Sequence, residues 1–388
     1  SYNDWEVMVS LDPSQELDGV TINERIHGAS VKNDETGLQI RINGAELKKA
    51  ACCNLSESFE TNPSVDVSFA DAISGAKRIK MLGLDGIYSL ITVENIPNVR
   101  GLSSSFGLNS IPGSWIHSIQ LAKGVGSVVN GYESTTGQIN VELKKPAQAP
   151  SYHLNVYANQ IGRFEATADH NIRLGKKWST GLMVHGSSYS NPVDANKDGF
   201  MDLPLAHQIV ASSRWQYYDG KIESFISATF LNENRTSGDV DFTRSQPISI
   251  NHPYGVKIDQ DRFDLNAKLG FIPPEDHENR SLGIIANYTY YNQNAVYGLK
   301  RYLGQQQYGY INTIFQDQLF NRYNLIKTGI SLVADNYYED FNDDLNQMDT
   351  LLTRTELVAG AFAEYTYHPN VRFSCIVGMR LDYHNLFK

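Results

Sequence analysis

The residues best suited to hold an ion lie in one short run between two predicted strands. Oxygen-bearing residues occupy its positions 1, 3, 5 and 9, and Gly199 occupies position 6. This spacing, with a backbone carbonyl at position 7, is what a calcium loop requires. Position 12 is Leu205 instead of the bidentate Glu of an EF-hand, and strands instead of helices flank the run. The pattern predicts either a merely polar, Asx-rich loop or a calcium site formed by Asp194, Asn196, Asp198, the carbonyl of Phe200, and Asp202.

The cysteines give a second candidate for metal chemistry. Cys52 and Cys53 are adjacent, and Cys375 is more than 300 residues away. Adjacent cysteines bridge each other only with strain, so no disulfide framework is predicted. We interpret Cys52 and Cys53 as small buried side chains, because free cysteine is among the most buried residue types. The alternative is a redox or soft-metal site, and thiolates favour copper(I).

Catalytic chemistry has no support in the sequence. It contains no Gly-x-Ser-x-Gly elbow, P-loop or His-Glu-x-x-His motif, and its 10 histidines are scattered. We therefore predict no enzyme activity and no catalytic residues. The net charge of −10 argues against a nucleic-acid partner. The mean hydropathy is −0.36, and no apolar run approaches 18 residues, which argues against a transmembrane helix.

Residues 119–143 are the most informative element of the chain. Two alternating runs flank four glycines at positions 124, 126, 131 and 137, and the second run, Ile139–Leu143, has a clean period of two. Glycines at such positions permit positive φ or close backbone approach. The stretch predicts two strands joined by a tight, glycine-rich connection.

The segments before this stretch have a recognisable order. Leu47, Ala51, Leu55 and Phe59 are spaced four apart and predict a helix within residues 42–59. Two strands are then predicted over 76–84 and 87–97, the second ending Glu94-Asn95-Ile96-Pro97. In order and spacing, residues 40–146 resemble the plug domain of TonB-dependent outer-membrane receptors, of the kind found in Bacteroidetes, with Glu-Asn-Ile-Pro in place of the usual Asp-Gly-Val-Pro.

After residue 150 the pattern changes to long alternating runs, for example Phe263 to Phe271 and Val371 to Tyr383. Runs of about ten residues with one apolar and one polar face are typical of membrane-barrel strands, whereas sandwich strands average about five or six. Short turns alternate with long polar loops at 191–205, 233–257, 297–306 and 339–353, the last carrying acidic and aromatic residues. We predict eleven strands near 151–160, 163–174, 178–190, 206–218, 221–232, 258–271, 281–296, 308–319, 322–337, 354–367 and 371–385.

The predicted fold class is a membrane β-barrel with an N-terminal α+β plug domain. A plugged barrel needs about 22 strands, and open sheet edges are not tolerated in lipid, so a fragment with about half the barrel is expected. The predicted domains are the end of a preceding β domain (1–16), a periplasmic linker with a TonB-box-like segment (17–39), the plug (40–146), a short linker (147–150) and the first half of the barrel (151–388).

The resemblance implies an outer-membrane receptor of a Gram-negative bacterium that imports a scarce ligand, such as a metal chelate, cobalamin or a metal ion, by energised rearrangement of the plug. Its implied partners are TonB, which contacts Val20, Thr21 and Ile22, outer-membrane lipid and lipopolysaccharide, the imported ligand, and a surface lipoprotein. Two alternatives remain open: a receptor-like structural component of a surface complex, and a soluble β-sandwich adhesin. The plug apex implies substrate contacts at Ser103, Ser104, Ser105, Phe106 and Asn109.

Overall fold

The computed structural model describes most of the chain as two sheet-rich regions. The described residues are 30–32, 39–43, 54–59, 65–247, 253–273, 280–321, 323–370 and 373–387. None of the helices in these ranges has both the length and the apolar composition needed to cross a membrane. The helical turns are short 3-10 segments at Glu57–Phe59, Gly86–Tyr88, Gly101–Ser105, Gly113–Trp115 and Val128–Asn130.

The N-terminal region contains two small sheets. One has the order β1-β2-β8-β9-β6-β7, with β6 parallel to β9, and the other has the order β3-β4-β5. Their strands are β1 Ser30–Lys32, β2 Gln39–Asn43, β3 Asp66–Asp71, β4 Ala76–Met81, β5 Leu84–Asp85, β6 Ser89–Val93, β7 Ile96–Pro97, β8 Ile116–Lys123 and β9 Gly137–Leu143. The informative stretch 119–143 therefore supplies the central pair, β8 and β9.

Apolar side chains from β2, β8 and β9 form the centre of this region. Ile42, Ile119 and Ile139 are fully buried there in one cluster. Gly137 begins β9 where a Cβ atom would lie 2.6 Å from the carbonyl oxygen of Ala122 and 2.5 Å from Cε of Met81. Only a residue without a side chain allows β9 to approach β4 and β8 this closely.

The two described ends of the segment predicted as a helix, residues 42–59, are not α-helical. Ile42 lies in β2 and faces Ile119 of β8, and Glu57–Phe59 form one 3-10 turn. Residues 44–53 are outside the described ranges. The spacing of apolar residues could not reveal this strand. Ile42 is buried because it pairs with Ile119, which lies 77 positions later in the chain.

The C-terminal region is a single sheet of eleven antiparallel strands that pair in chain order. This confirms the predicted number of strands. The strands are β10 Tyr152–Ala158, β11 Arg163–Leu174, β12 Trp178–Tyr189, β13 Leu205–Tyr218, β14 Ile222–Gly238, β15 Gly255–Phe271, β16 Ser281–Tyr297, β17 Lys300–Gln318, β18 Asn324–Asp343, β19 Met348–Asn370 and β20 Phe373–His384. We refer to this sheet as the wall.

The two faces of the wall differ in polarity as the alternation predicts. Leu265 and Leu332 point outward and are 44% and 50% exposed, whereas Asp264 and Asp335 point toward the N-terminal region and are 6% and 0% exposed. An apolar outer face with a polar inner face suits a sheet between lipid and a polar lumen. A β-sandwich would bury its apolar face against a second sheet, so the sandwich alternative is wrong.

Several predicted loops are strand instead. The loop predicted at 297–306 shrinks to the two residues between β16 and β17, and the one predicted at 339–353 shrinks to residues 344–347. The acidic and aromatic residues from 337 to 343 therefore belong to β18. Polar composition suggested loops here, but these strands continue beyond their apolar band, where backbone pairing does not require apolar side chains.

Candidate functional site

The N-terminal region lies against the inner face of the wall, and polar contacts join the two. Four groups of contacts carry this interface, at Arg100, Phe106, Val128 and Glu94. Each links a turn or 3-10 segment of the N-terminal region to buried polar side chains of the wall. This interface is the candidate functional site.

Arg100 forms the first group. Its guanidinium donates to Oδ2 of Asp335 in β18 at 2.6 Å and to Oε1 of Glu133 at 2.8 Å. It also lies over the ring of Tyr308, 4.3 Å from the centroid. Gln306 and Tyr337 donate to the same Asp335 carboxylate. The carboxylate, 0% exposed, is thus held by a cation and two neutral donors, which is what a buried charge requires.

The electrostatics keep Arg100 charged. Burial alone would lower the pKa of Arg100, but its neighbours, Glu133 and Asp335 among them, raise it well above its ordinary value. The next residue, Gly101, has φ +58° and comes close to the side-chain amide of Gln306, whose Oε1 accepts from the Leu102 amide at 3.0 Å. A glycine at this position allows the turn to approach β17.

Phe106 forms the second group. Its ring lies 4.8 Å from the guanidinium of Arg235 in β14, and that guanidinium also donates to the carbonyl of Ser74 and to Glu233. Phe106 is 4% exposed and packs with Val256 and Ile258 of β15. The predicted substrate residue Phe106 is therefore a contact between the N-terminal region and the wall.

The third group joins the glycine-rich stretch to the last wall strands. Ser127 donates to Oε2 of Glu364 at 2.6 Å, and Arg380 donates to the carbonyl of Val128 at 3.1 Å. Asn312 donates to the carbonyl of Val129 at 3.0 Å. The 3-10 turn at Val128–Asn130 thus presents two carbonyls to β20 and β17, and the hydroxyl of the preceding residue, Ser127, contacts β19.

The fourth group surrounds the turn between β6 and β7. Glu94 and Asn95 both have positive φ, and Oε1 of Glu94 accepts from Arg214 of β13 at 2.5 Å. Lys268 of β15 donates to the carbonyl of Glu94. The Asn95 amide donates to Asn140 at 2.8 Å, which ties the turn back to β9.

Two cavities open beside these contacts, and they separate the predicted substrate residues. Ser104 and Ser105 line a cavity of about 690 Å³ together with Arg100, Tyr132, Glu133, Tyr337 and Glu356. Asn109 lines a second cavity of about 240 Å³ with Glu57, Lys77, Arg163, His185 and Arg235. Ser103 lines neither cavity, since it is 4% exposed and donates to the carbonyl of Arg100.

The predicted calcium loop is organised by its own backbone. Asp194 accepts from the amides of Asp198 and Gly199, Asp198 accepts from the amide of Phe200, and Asp202 accepts from the amide of Ala195. Among the described residues, no group of three or more His, Cys, Asp or Glu side chains is placed to hold a metal ion. Calcium binding at this loop therefore stays a prediction.

Other predicted site residues fall in different places. Val20, Thr21 and Ile22, together with Cys52 and Cys53, lie outside the described residues. Cys375 is a free, exposed thiol on β20.

Sequence reasoning missed Arg100, Glu133 and Asp335, the residues of the first group. The partners Arg100 and Asp335 are 235 residues apart, and no local pattern connects them. The available signal was the phase of Asp335, which falls on the polar face of a predicted strand. The alternation of the strand shows which face of the sheet Asp335 occupies, but it does not show which residue of the N-terminal region pairs with it.

Comparisons with known proteins match the N-terminal region to one family and most of the chain to a curated transporter. Residues 16–138 match the family described as "TonB-dependent Receptor Plug Domain". The chain is 24% identical over 361 residues to the heme transporter BhuA of Brucella ovis, across 87% of this chain and 50% of that protein. The match therefore spans about half the length of that transporter.

Solved structures share the fold. The ferric yersiniabactin uptake receptor FyuA from Yersinia pestis superposes with a TM-score of 0.72 at 12% identity, over 91% of this chain and 57% of that one. The ferripyoverdine receptor of the Pseudomonas aeruginosa outer membrane gives a TM-score of 0.73 at 10% identity, over 93% and 55%. These likenesses confirm the predicted fold class, a plug followed by part of a large β-barrel.

Proposed function

We propose that this chain belongs to a TonB-dependent receptor of the Gram-negative outer membrane and forms the plug and part of the barrel of an importer for metal chelates. The proteins it resembles are named as transporters and receptors, for heme and for ferric siderophores. None of them is named as an enzyme. A chelate of this type is the ligand class that the likenesses support best.

The observation that carries this proposal is the chemistry of the interface between plug and wall. The plug meets the wall largely through ion pairs and hydrogen bonds, at Arg100, Ser127, Val128 and Glu94. Water can replace such contacts far more readily than it can replace a packed apolar interface. A plug held in this way is suited to rearrangement within an intact barrel.

The two cavities support the binding step. Each is lined by plug and wall residues together, so a ligand there would contact both parts. The larger, about 690 Å³, falls in the range of small-molecule sites. Ser104, Ser105 and Asn109 would then contact the ligand, whereas Ser103 and Phe106 would hold the plug against the wall.

Energy for plug movement would come from TonB through the segment Val20–Thr21–Ile22. An extended β-prone run can add a strand to an exposed sheet edge, with backbone hydrogen bonds supplying the affinity. Outer-membrane lipid and lipopolysaccharide would cover the apolar outer face of the wall. A surface lipoprotein is a further proposed partner.

The test is uptake of radiolabelled iron, given as heme or as a ferric siderophore, by cells that depend on the full-length receptor. Proline at Val20 or Ile22 would prevent backbone pairing and should abolish uptake. Ligand binding to the cell surface should be unchanged in the same variants.

The matched control places proline at His27, in the same predicted linker but outside the box and before β1, and it should leave uptake intact. Normal uptake by the Val20 and Ile22 variants would contradict the TonB assignment. Binding without any uptake by the wild-type receptor would favour the alternative, a structural component of a surface complex.

A further inference from the structure

Two short turns lie side by side on one rim of the wall, the first between β11 and β12 and the second between β13 and β14. The amide of Tyr218 donates to the carbonyl of Lys177 at 2.9 Å, which joins the two turns. Together they present three exposed lysines, Lys176, Lys177 and Lys221. We refer to these three lysines as the basic patch.

The basic patch carries a net positive charge. Asp219 is the one acidic residue in the two turns. Its Oδ2 lies 3.6 Å from Nζ of Lys177 and accepts from the hydroxyl of Tyr217 at 2.9 Å. Lys176 and Lys221 make no ion pair with any described residue. Three lysines and one carboxylate therefore leave an excess of positive charge at the surface, which favours a partner with negative charge.

Aromatic side chains border the basic patch on the outer face of the wall. Trp178 follows Lys177 directly and lies opposite Tyr217, with the two ring centroids 4.8 Å apart. Trp215 occupies the next outward position on β13, and the two tryptophans are 45% and 42% exposed. Tryptophan and tyrosine rings mark the boundary between the apolar and polar layers of a membrane. These rings therefore place the basic patch at the level of the lipid headgroups.

The aromatic rings continue into the apolar outer face of the wall. Ile172 of β11 and Leu182 of β12 point to this same face and are 41% and 52% exposed. A lipid whose acyl chains lie along these side chains would bring its phosphate to the two turns. This continuity favours a lipid over a soluble acidic protein as the partner. The two longest connections lie on the opposite rim, so the turns face the periplasm.

We propose that the basic patch binds an anionic phospholipid of the periplasmic leaflet. Its phosphate would lie among the three ammonium groups, with its acyl chains against Trp178, Trp215 and Leu182. A zwitterionic headgroup carries its own cation, which offsets the attraction, so the site should select lipids with a net negative charge. The site needs a folded wall in a membrane but not ligand uptake, and a transport-inactive receptor would bind the lipid as well.

The test compares two lipids with identical acyl chains, phosphatidylglycerol and phosphatidylcholine, as probes. Native mass spectrometry of the purified full-length receptor in detergent gives the apparent Kd of each. We expect phosphatidylglycerol to bind about tenfold or more tightly, because each lysine near an anionic surface contributes about a fivefold factor. Equal Kd values for the two lipids would overturn the proposal.

The variant Lys176→Gln/Lys177→Gln/Lys221→Gln removes the charges and keeps exposed polar side chains. It should reduce the preference for phosphatidylglycerol to about twofold or less. Its Tm should stay close to that of the wild-type receptor, because surface substitutions of this kind have small effects on stability. An unchanged lipid preference in this variant would contradict the proposal and leave the lysines to an acidic protein.

The matched control, Lys197→Gln/Lys300→Gln/Arg301→Gln, removes three exposed cations from the opposite rim. It changes the net charge of the receptor by the same amount, but it should retain the preference for phosphatidylglycerol. An equal loss of preference in the two triple variants would show that net charge alone attracts the lipid, and the site would then be rejected.

Discussion

Arg100 and Asp335 form a buried ion pair that joins plug to wall. Removing the guanidinium would leave the Asp335 carboxylate, 0% exposed, without its cation. Breaking a buried pair in this way costs about 3–5 kcal/mol. We therefore expect Arg100→Ala to lower the free energy of unfolding of the plug by that amount, measured by urea titration of the purified receptor.

The control for this prediction is Arg301→Ala at the outer rim of the wall. Arg301 pairs with Asp344 at 3.0 Å, but the two side chains are 66% and 51% exposed. Surface pairs contribute about 0–1 kcal/mol, so the control should be nearly neutral. The double variant Arg100→Ala/Asp335→Ala should recover part of the stability lost in Arg100→Ala. Equal losses in Arg100→Ala and Arg301→Ala would contradict the assignment.

A second residue prediction concerns the turn between β13 and β14. Hydrogen bonds from the amides of Ile222 and Lys221 and from the hydroxyl of Tyr217 lower the pKa of Asp219 to about 2. Because this pKa lies below the unfolded value, the stabilising effect is full above about pH 4 and is lost as the pH falls through 2. Carboxyl NMR of the receptor should show Asp219 titrating near pH 2.

Tyr217→Phe supplies the comparison for this titration. It removes the hydroxyl that donates to Oδ2 of Asp219 at 2.9 Å and leaves both amide contacts in place. The pKa of Asp219 should rise, but it should stay below the ordinary value for aspartate. A titration near pH 4 in the wild-type receptor would show that the turn does not form as described.

At the scale of elements, close packing between wall strands depends on Gly329 in β18. A Cβ atom there would lie 1.9 Å from the carbonyl oxygen of Thr313 and 2.5 Å from the ring of Phe362. Because the first obstacle is backbone, it cannot move aside. Gly329→Ala should destabilise the wall by about 1–3 kcal/mol, measured as a lower urea midpoint.

Gly283 in β16 is the matched glycine. A Cβ atom at this position meets only the carbonyl oxygen of Ile314, at 3.9 Å, which is an ordinary contact. Gly283→Ala should therefore change stability by no more than about 0.5 kcal/mol. Similar midpoints for the two alanine variants would show that β18 does not pack on Phe362 as described.

The elements differ in how far the sequence could predict them. Wall strands such as β15 were predictable because the alternation from Phe263 to Phe271 continues over a length that sandwich strands rarely reach. The outer half of β17 was not, because residues such as Gln305 and Gln306 resemble a loop in composition although both pair with β16. The composition of a segment indicates whether it is exposed to water. It does not indicate whether the backbone pairs with another strand, because that depends on a partner elsewhere in the chain.

At the scale of the whole molecule, the two longest connections between wall strands lie on the same rim and give the wall a direction. The connections at 175–177 and 219–221 are short, and those at 190–204 and 239–254 on the opposite rim are long. In membrane barrels of this type, long loops face the outside and short turns face the periplasm. Ser245 and Lys176, both exposed, should therefore lie on opposite sides of the membrane.

Cysteine labelling checks this orientation. In a receptor whose native cysteines are replaced by serine, Ser245→Cys should react with a membrane-impermeant maleimide on intact cells. Lys176→Cys should react only after the outer membrane is permeabilised. The reverse pattern would invert the wall and place the two ligand cavities on the wrong side for uptake.

The pairing of wall strands in chain order also implies an order of folding. Each wall strand contacts the next one along the chain, so the sheet can grow one hairpin at a time, with little loop entropy to overcome at each step. Plug contacts are far less local, since Arg100 meets a residue 235 positions away and Val128 one 252 positions away. These two contacts can form only after β18 and β20 are in place, whereas the contacts of Glu94 and Phe106 need only β13 to β15, so the interface can be assembled in the order in which the wall strands are added.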